Sequence, residues 1–242
     1  MLSVKNINKS FKKNDVLKNI NINFEANKVT GLLGNNGVGK TTLLKIIFNE
    51  LVPNDGEINL GDHQIKPQDY SKLHFFTENN ELPKTLSVKE YCEYYLGLRF
   101  MKPLSKEKIS QLDWIFDYNK HCKSKIERLS AGEKKMLSLF ILFLAESEIY
   151  FFDEPTANLD SENKNIIITA MKYLKSENKT IIIITHLIEE VSQLLDNIVV
   201  FKDGEIVYEA KCKDLKNIKE TYAKVIGQSS ESEIMRKLKN EK

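Results

Sequence analysis

The sequence predicts an α/β fold with a mostly parallel core sheet. Three short segments, 29–33, 148–152 and 179–185, are apolar along most of their length rather than at alternate positions. Such runs are typical of strands that are buried on both faces, as in a parallel sheet. Helical spacing follows at 43–48 and 161–174. An alternation of buried strands and helices is the pattern of a parallel sheet covered by helices.

The N-terminal quarter predicts further strands. Residues 2–7 and 16–24 alternate loosely and are rich in Val, Ile and Phe, which favours strands. Between them, the polar stretch 10–15 predicts a turn with one aromatic side chain, Phe11. Phe11 is either a hydrophobic anchor of this turn or a ring that stacks on a nucleotide base. Two more strands are predicted at 56–62 and 73–77.

The middle of the chain, from 86 to about 145, has helical spacing. A first helix begins near Ser87, with Glu90 three residues later, the pattern of a capping box. One face of this helix carries a mostly aromatic stripe, formed by Tyr91, Tyr94, Tyr95 and Leu98. The stripe either packs into the core or forms a docking surface for a partner. Two more helices are predicted, at 105–116 and from a cap at Ser130 to about 145.

The C-terminal part predicts a hairpin and a charged tail. Residues 197–201 and 206–208 flank an Asp203-Gly204 turn, which favours a β-hairpin. Beyond Lys211 the chain is helical and increasingly charged, and no function is assigned to 229–242.

Composition narrows the classes of function. The 242 residues are 41% hydrophobic and 29% charged, with a net charge of +2, so nothing favours nucleic-acid binding. The three cysteines are widely separated, which predicts neither a metal site nor a disulfide framework. The N-terminus lacks the apolar core of a signal peptide. The longest apolar run, 136–145, is too short to span a bilayer, so any membrane part is expected to come from another chain.

A glycine-rich motif lies between the first buried strand and the helix that follows it. It consists of Gly34, Asn35, Asn36, Gly37, Val38, Gly39, Lys40, Thr41 and Thr42. A strand, a glycine-rich turn ending in Gly-Lys-Thr and a helix form the phosphate-binding P-loop. Lys40 would contact the β- and γ-phosphates, and the Thr41 hydroxyl would bind Mg²⁺. The alternative is a glycine-rich turn without a ligand.

The two other buried strands also end in polar residues with catalytic potential. Asp153 and Glu154 follow the second strand, and His186 follows the third. Since two acids adjacent on an extended chain point in different directions, Asp153 is assigned to Mg²⁺ and Glu154 to the attacking water as general base. His186 is assigned a contact with the γ-phosphate or a role in positioning Glu154 and the water. The other histidines show no such context.

Three further motifs resemble those of ABC-type ATPases. Leu129-Ser130-Ala131-Gly132-Glu133 resembles the signature motif, whose usual form is Leu-Ser-Gly-Gly-Gln. Residues 157–160 resemble the D-loop, and Thr185-His186 resembles the switch histidine. The resemblance spans about residues 2–210 with every motif in the family's order, and it identifies residues 1–242 as one ABC ATPase domain.

The resemblance implies a fold and a set of ligands. It implies an N-terminal antiparallel β subdomain, an inserted helical subdomain at about 84–145 and a short tail at 212–242. The cofactors are ATP and Mg²⁺. Phe11, with Val16, is placed at the base, which favours stacking. Ser130, Gly132 and Glu133 form a second phosphate site for ATP held by another subunit, and Glu78 stands where the family often has a glutamine near Mg²⁺.

The resemblance also implies partners and a role. A second ABC subunit, identical or related, completes two ATP sites, and a separate transmembrane subunit anchors the protein at the cytoplasmic face of the membrane. The predicted function is the ATP-hydrolysing subunit of a transporter, with export favoured by similarity to short single-domain export ATPases. The alternative is a soluble ABC ATPase of an assembly pathway, such as iron–sulfur cluster building. Despite Ala131 and Glu133 in the signature motif, full hydrolytic competence is expected.

Overall fold

The structure is a computed structural model, and it describes residues 1–77, 82–100 and 103–227. The chain divides into two units, which are described separately. The first comprises Met1–Ile65 and the chain from Ile182, and the second comprises Lys66–Ile181. The predicted helical subdomain, 84–145, falls within the second unit. No helix in the described ranges is long and apolar enough to cross a bilayer.

Strands and helices occur in an order close to the one predicted. The strands are β1 (Leu2–Phe11), β2 (Asn14–Phe24), β3 (Val29–Leu33), β4 (Asp55–Leu60), β5 (His63–Gln64), β6 (Leu73–Phe76), β7 (Ile149–Asp153), β8 (Thr180–Thr185), β9 (Asn197–Lys202) and β10 (Glu205–Lys211). The α-helices are α1 (Lys40–Ile47), α2 (Val88–Phe100), α3 (Lys106–Gln111), α4 (Tyr118–His121), α5 (Ala131–Ala145), α6 (Ser161–Ser176), α7 (Ile188–Val191) and α8 (Ile218–Ile226). Short 3₁₀ segments lie at Pro67–Lys72, Ile126–Arg128, Ser192–Leu194 and Cys212–Asp214.

The first unit contains the predicted N-terminal antiparallel sheet, with strand order β2-β1-β4-β5. Its other strands run in the order β10-β9-β3-β8. There β3 pairs in parallel with β9, and β9 forms the predicted antiparallel hairpin with β10. All five residues of β3 are buried, as its continuous apolarity predicts.

The second unit contains β7 and β6, which pair in parallel, and the division between the units falls inside β8. Every residue of β7 and β8 is buried. The helix α5 supplies much of the core, with ten buried residues from Lys135 to Ala145. The predicted capping box at the start of α2 is confirmed, since the Ser87 N–H donates to the Glu90 carboxylate at 2.7 Å and the Glu90 N–H to the Ser87 hydroxyl at 3.2 Å.

Two predicted boundaries are wrong. The helix expected at 105–116 ends at Gln111, and the chain then turns. Ile115 and Phe116 are buried in this turn, so their apolar spacing reflects burial rather than a helix. The turn expected at 10–15 is only Lys12-Lys13, because Ser10 pairs with Asp15 and Phe11 with Asn14. Polar residues extend the hairpin there since both faces of its end are exposed to solvent.

The core-packing interpretation of the aromatic stripe on α2 is wrong for half of its members. Tyr94 is 60% exposed and Leu98 is 69% exposed, whereas Tyr91 and Tyr95 are half-buried. The face of α2 that packs into the core carries Val88, Cys92 and Leu96 instead. These smaller apolar residues share a helical face with period 3.6.

Candidate functional site

The glycine-rich loop of the first unit has a conformation that depends on two of its glycines. Gly37 and Gly39 have φ values of 82° and 109°, a region that residues with a Cβ rarely adopt. A Cβ on Gly39 would lie 2.8 Å from the carbonyl oxygen of Val16, whereas one on Gly37 would meet nothing within 4 Å. The loop therefore packs closely on β2 at Gly39 and leaves its backbone open at Gly37.

The loop continues directly into α1, which begins at Lys40. The cap residue is Gly39, which has no side chain to cap the helix, and the first turn contains no acid. The first N–H groups of a helix lack partners inside the helix and carry the positive end of its dipole. Thr41 is exposed at this end. These features fit a phosphate group bound at the start of α1.

Lys40 is positioned by the loop itself. Its side chain is buried, and its ammonium donates to the carbonyl oxygens of Gly34 and Asn35 at 2.7 and 2.8 Å. Gly34 is held in turn against β9, because a Cβ there would lie 2.7 Å from the Phe201 carbonyl oxygen. The cation is thus fixed along the loop backbone, where it adds to the positive potential of the helix end.

Phe11 and Val16 flank the turn between β1 and β2. The Phe11 ring is 45% exposed, and the Lys9 ammonium lies 5.2 Å from its centroid. So large an exposed fraction favours a stacking surface over a hydrophobic anchor. The Val16 carbonyl oxygen would meet a Cβ on Gly39 at 2.8 Å and one on Gly204 at 2.7 Å. Within the first unit, Val16 therefore packs against the glycine-rich loop.

His186 follows β8 directly and is exposed. The Leu187 N–H donates to the Thr185 hydroxyl at 2.9 Å, which turns the chain sharply after the strand. His186 thus leaves the end of β8 in the first unit, as predicted. Glu78, the remaining predicted metal ligand, lies outside the described residues.

Asp153 and Glu154 lie in the second unit at the end of β7. Both are buried, with side chains 8% and 7% exposed. Asp153 is the last residue of the strand, but Glu154 has φ 43°. The expectation that both acids lie on an extended chain is therefore wrong at Glu154. Strand pleating therefore does not set the relative directions of the two side chains, because the backbone leaves the extended conformation at Glu154.

The signature-like motif forms the N-terminus of α5. Ser130 caps the helix, since its hydroxyl accepts the Glu133 N–H at 3.2 Å, and its own N–H donates to the Glu133 carboxylate at 2.8 Å. These hydrogen bonds lower the pKa of Glu133. His121 Nε2 lies 3.5 Å from the same carboxylate. Glu133 therefore places a negative charge at the helix end where a phosphate is expected.

Gly132 connects this helix end to the D-loop-like segment. A Cβ on Gly132 would lie 3.2 Å from the Asn163 side-chain nitrogen. Asn163 donates from that nitrogen to Asp160 at 2.7 Å and from its backbone N–H to the same carboxylate at 2.8 Å. Asp160 caps α6, so two predicted motifs, the signature and the D-loop, meet within the second unit.

Two residues near these motifs were missed in the sequence. His121 shows no functional context in the sequence, and nothing in its neighbourhood along the chain points to Glu133. Lys135 is 5% exposed and donates to the carbonyl oxygens of Glu154 and Ala157. The sequence does carry a signal for it, because Lys135 lies four residues before Leu139 and therefore on the apolar face of α5.

Comparisons with known proteins agree with these motifs. A family model described as "ABC transporter" matches residues 17–157, more than half of the chain. The L-cystine import ATP-binding protein TcyC of Bacillus subtilis (strain 168) is 31% identical over 226 residues, which cover 86% of this chain and 89% of that protein.

Solved structures show the same fold. The dimeric structure of MJ0796, a bacterial ABC transporter cassette, has a TM-score of 0.77 and 25% identity, and covers 88% of this chain and 99% of that one. A post-hydrolysis structure of that cassette binds ADP and Pi. The structure of cbiO1 from Clostridium perfringens, part of the transporter complex cbiONQ, has a TM-score of 0.74 and 27% identity, with 93% of each chain covered.

Proposed function

Since the chain belongs to the ABC transporter family and is an ATP-binding ATP hydrolase, we propose that it drives a membrane transporter by closing a dimer on ATP and reopening it after hydrolysis. The observation that carries this proposal is the buried Glu154 after β7, in a chain that also has an open glycine-rich loop at the start of α1. Glu154 supplies a base for the attacking water, and the glycine-rich loop holds the phosphates.

Each site residue has a chemical role in this proposal. The loop from Gly34 to Thr42 binds the phosphate chain through its backbone N–H groups, and Lys40 neutralises the β- and γ-phosphates. Asp153 and the Thr41 hydroxyl are hard oxygen donors that suit Mg²⁺. Bound Mg²⁺ supplies charge neutralisation on the phosphates.

Two further groups act at the γ-phosphate end. Glu154 orients the attacking water and accepts its proton as the general base. His186, exposed after β8, contacts the γ-phosphate or helps to position Glu154 and the water. The ring of Phe11 stacks on the base, with Val16 behind it.

The dimer follows from the number of motifs. The chain has one glycine-rich loop and one signature motif, so a second ABC subunit supplies the complementary copies. Ser130 and Gly132 at the start of α5 then contact the γ-phosphate of ATP that the other subunit holds. The dimeric arrangement of the MJ0796 cassette supports this pairing by similarity.

We propose that a separate transmembrane subunit carries the solute and holds this chain at the cytoplasmic face of the membrane. Support comes from relatives that are described as transporter components, such as cbiO1 of the cbiONQ complex. The exposed Tyr94 and Leu98 on α2 form the proposed contact surface. Export is the proposed direction, although TcyC is described as an import protein.

The proposal is tested by isolating the complex. A tagged Glu154→Gln chain should keep ATP bound, hydrolyse it more slowly by a factor of roughly 10² or more, and remain dimeric with ATP and Mg²⁺. Pull-down from detergent-solubilised native cells should then recover a polytopic membrane protein in stoichiometric amount. The matched control is Lys40→Ala, which should bind ATP weakly and form no ATP-dependent dimer.

The same preparation also decides the alternatives. Only soluble partners, with the chain absent from membranes, would favour an assembly-pathway ATPase. Once the membrane partner is identified, the same complex with the wild-type chain is reconstituted in vesicles, with ATP on the side of this chain. Solute moves away from ATP in an exporter and towards it in an importer. Wild-type turnover by Glu154→Gln would remove Glu154 from its role as base.

A further inference from the structure

Lys135 is a buried cation in an otherwise apolar part of α5. Its side chain is 5% exposed, and the helix beyond it consists mainly of buried Leu, Ile and Phe residues. Lysine is rarely buried to this extent unless it is paired, because a desolvated ammonium is costly without partners. A neutral side chain of similar volume would serve packing better, so the charge itself calls for an explanation.

The Lys135 ammonium lies among three segments of the second unit. It donates to the carbonyl oxygen of Glu154 at 3.3 Å and to that of Ala157 at 3.1 Å. It also lies 5.9 Å from the centroid of the Phe76 ring, at the end of β6. The same side chain therefore touches the turn after β7, the D-loop-like segment and the strand that leads towards residue 78.

The backbone at Glu154 needs support of this kind. Its φ of 43° is a left-handed conformation that costs energy for any residue with a Cβ. Its carbonyl oxygen accepts hydrogen bonds from the Ala157 N–H at 3.2 Å and from the Lys135 ammonium at 3.3 Å. Hydrogen bonds from an ammonium are stronger than those from a neutral donor, so Lys135 stabilises the turn in which the carboxylate is presented.

We propose that Lys135 is a positioning residue for ATP hydrolysis. It holds Glu154 in its left-handed turn and joins that turn to the D-loop and the signature helix. The inference rests on the proposed role of Glu154 as general base. Lys135 lies on α5, five residues after Ser130. If this helix shifts when Ser130 and Gly132 contact phosphate, Lys135 shifts with it and moves the Glu154 carbonyl. One lysine then links phosphate contact at the signature motif to the placement of the base.

Two variants of equal length separate hydrogen bonding from packing. Lys135→Met and Lys135→Gln both have four atoms beyond Cα along the chain, but only the glutamine amide donates hydrogen bonds. Lys135→Met should lower kcat by about 10- to 100-fold, the size of effect that a misplaced catalytic group produces. Lys135→Gln should lose only about 3-fold. ATP affinity, measured by nucleotide titration, should stay within about 2-fold of wild type in both.

The matched control is Lys172→Met, which removes an exposed lysine on α6 in the same unit and should leave kcat unchanged. A second readout shows whether Lys135 acts through Glu154. In the Glu154→Gln background, adding Lys135→Met should change kcat by less than about 2-fold, because the group that it positions is already gone. If Lys135→Met does not fold, the smaller loss in Lys135→Gln must likewise vanish in that background.

Four outcomes would overturn the inference. The first three are wild-type kcat in Lys135→Met, equal losses in the Met and Gln variants, and losses that multiply with that of Glu154→Gln. The fourth is a fall in ATP affinity parallel to the fall in kcat, which would show a general structural role. Wild-type turnover in Glu154→Gln alone would instead remove the premise, so failure of the proposed function is distinguished from failure of the Lys135 inference.

Discussion

Substituting alanine at Gly37 or Gly39 should separate glycines that shape the loop from glycines that bind phosphate. At Gly39 the new Cβ would lie 2.8 Å from the Val16 carbonyl oxygen at φ 109°, so backbone must move. We expect a loss of stability of about 2–5 kcal/mol, from about 1–2 for the left-handed backbone and about 1–3 for overpacking. At Gly37 only the backbone strain applies, and the loss should be about 1–2 kcal/mol.

For ATP binding, the substitution at Gly37 is expected to matter more, although it destabilises the fold less. A Cβ on Gly37 would meet no protein atom within 4 Å, so the methyl group projects into the open side of the loop, where a phosphate is proposed to bind. We expect Gly37→Ala to weaken ATP binding by about 1.5–3 kcal/mol, the value of a hydrogen bond to a charged group, which is roughly 10- to 100-fold.

Urea unfolding and ATP titration of both variants provide the assay. Shifts in the unfolding midpoint at unchanged slope report stability, and titration reports affinity in the variant that remains folded. Equal destabilisation by the two substitutions would refute the packing argument at Gly39. Unchanged ATP affinity in Gly37→Ala would refute the assignment of the open backbone to phosphate.

Three further predictions concern the base and the signature motif. Phe11→Ala should weaken ATP binding by about 1–3 kcal/mol, the value of base stacking, but leave the affinity for inorganic triphosphate unchanged; equal losses for both ligands would contradict stacking. Glu133→Gln should keep the capping box, since glutamine also caps. Because it removes a negative charge that faces the phosphate, it should raise the ATP-dependent dimer fraction, measured by light scattering, several-fold. A dimer fraction smaller than that of wild type would contradict this. Because the pKa of Glu133 is lowered in the folded protein, the ionised carboxylate stabilises the fold above the usual pKa of 4.5, and this stabilisation is lost as the pH falls through the lowered pKa. Chemical unfolding at about pH 7 and pH 3 should therefore show that wild type loses more stability than Glu133→Gln between the two pH values.

Local motifs were predictable where the residue types themselves set the backbone. Gly37 and Gly39 adopt positive φ, so the glycine-rich loop carries its conformation in its sequence. The same holds for the predicted capping box of Ser87 and Glu90, whose partners are three residues apart, and for the predicted cap at Ser130. The buried strands β3, β7 and β8 followed from apolarity alone.

What could not be predicted depends on contacts between segments that are distant in sequence. The segment 105–116 has helical spacing, yet Ile115 and Phe116 are buried beyond the end of the helix, since burial depends on the neighbouring elements rather than on local propensity. The pairing of His121 with Glu133 has no local signature either. These are the positions where tertiary structure overrides the pattern.

Lys135 shows why such a residue matters for function. A lysine on the buried face of α5 conflicts with local apolar patterning, and conflicts of this kind are expected where a site imposes its own requirement. Its carbonyl partners, Glu154 and Ala157, are 19 and 22 residues away, so the sequence reveals the conflict but not its resolution. The left-handed Glu154 presents the complementary conflict, an acid in a backbone conformation that favours glycine. Each unfavourable choice is stabilised by the other, and the place where they meet is the proposed catalytic base.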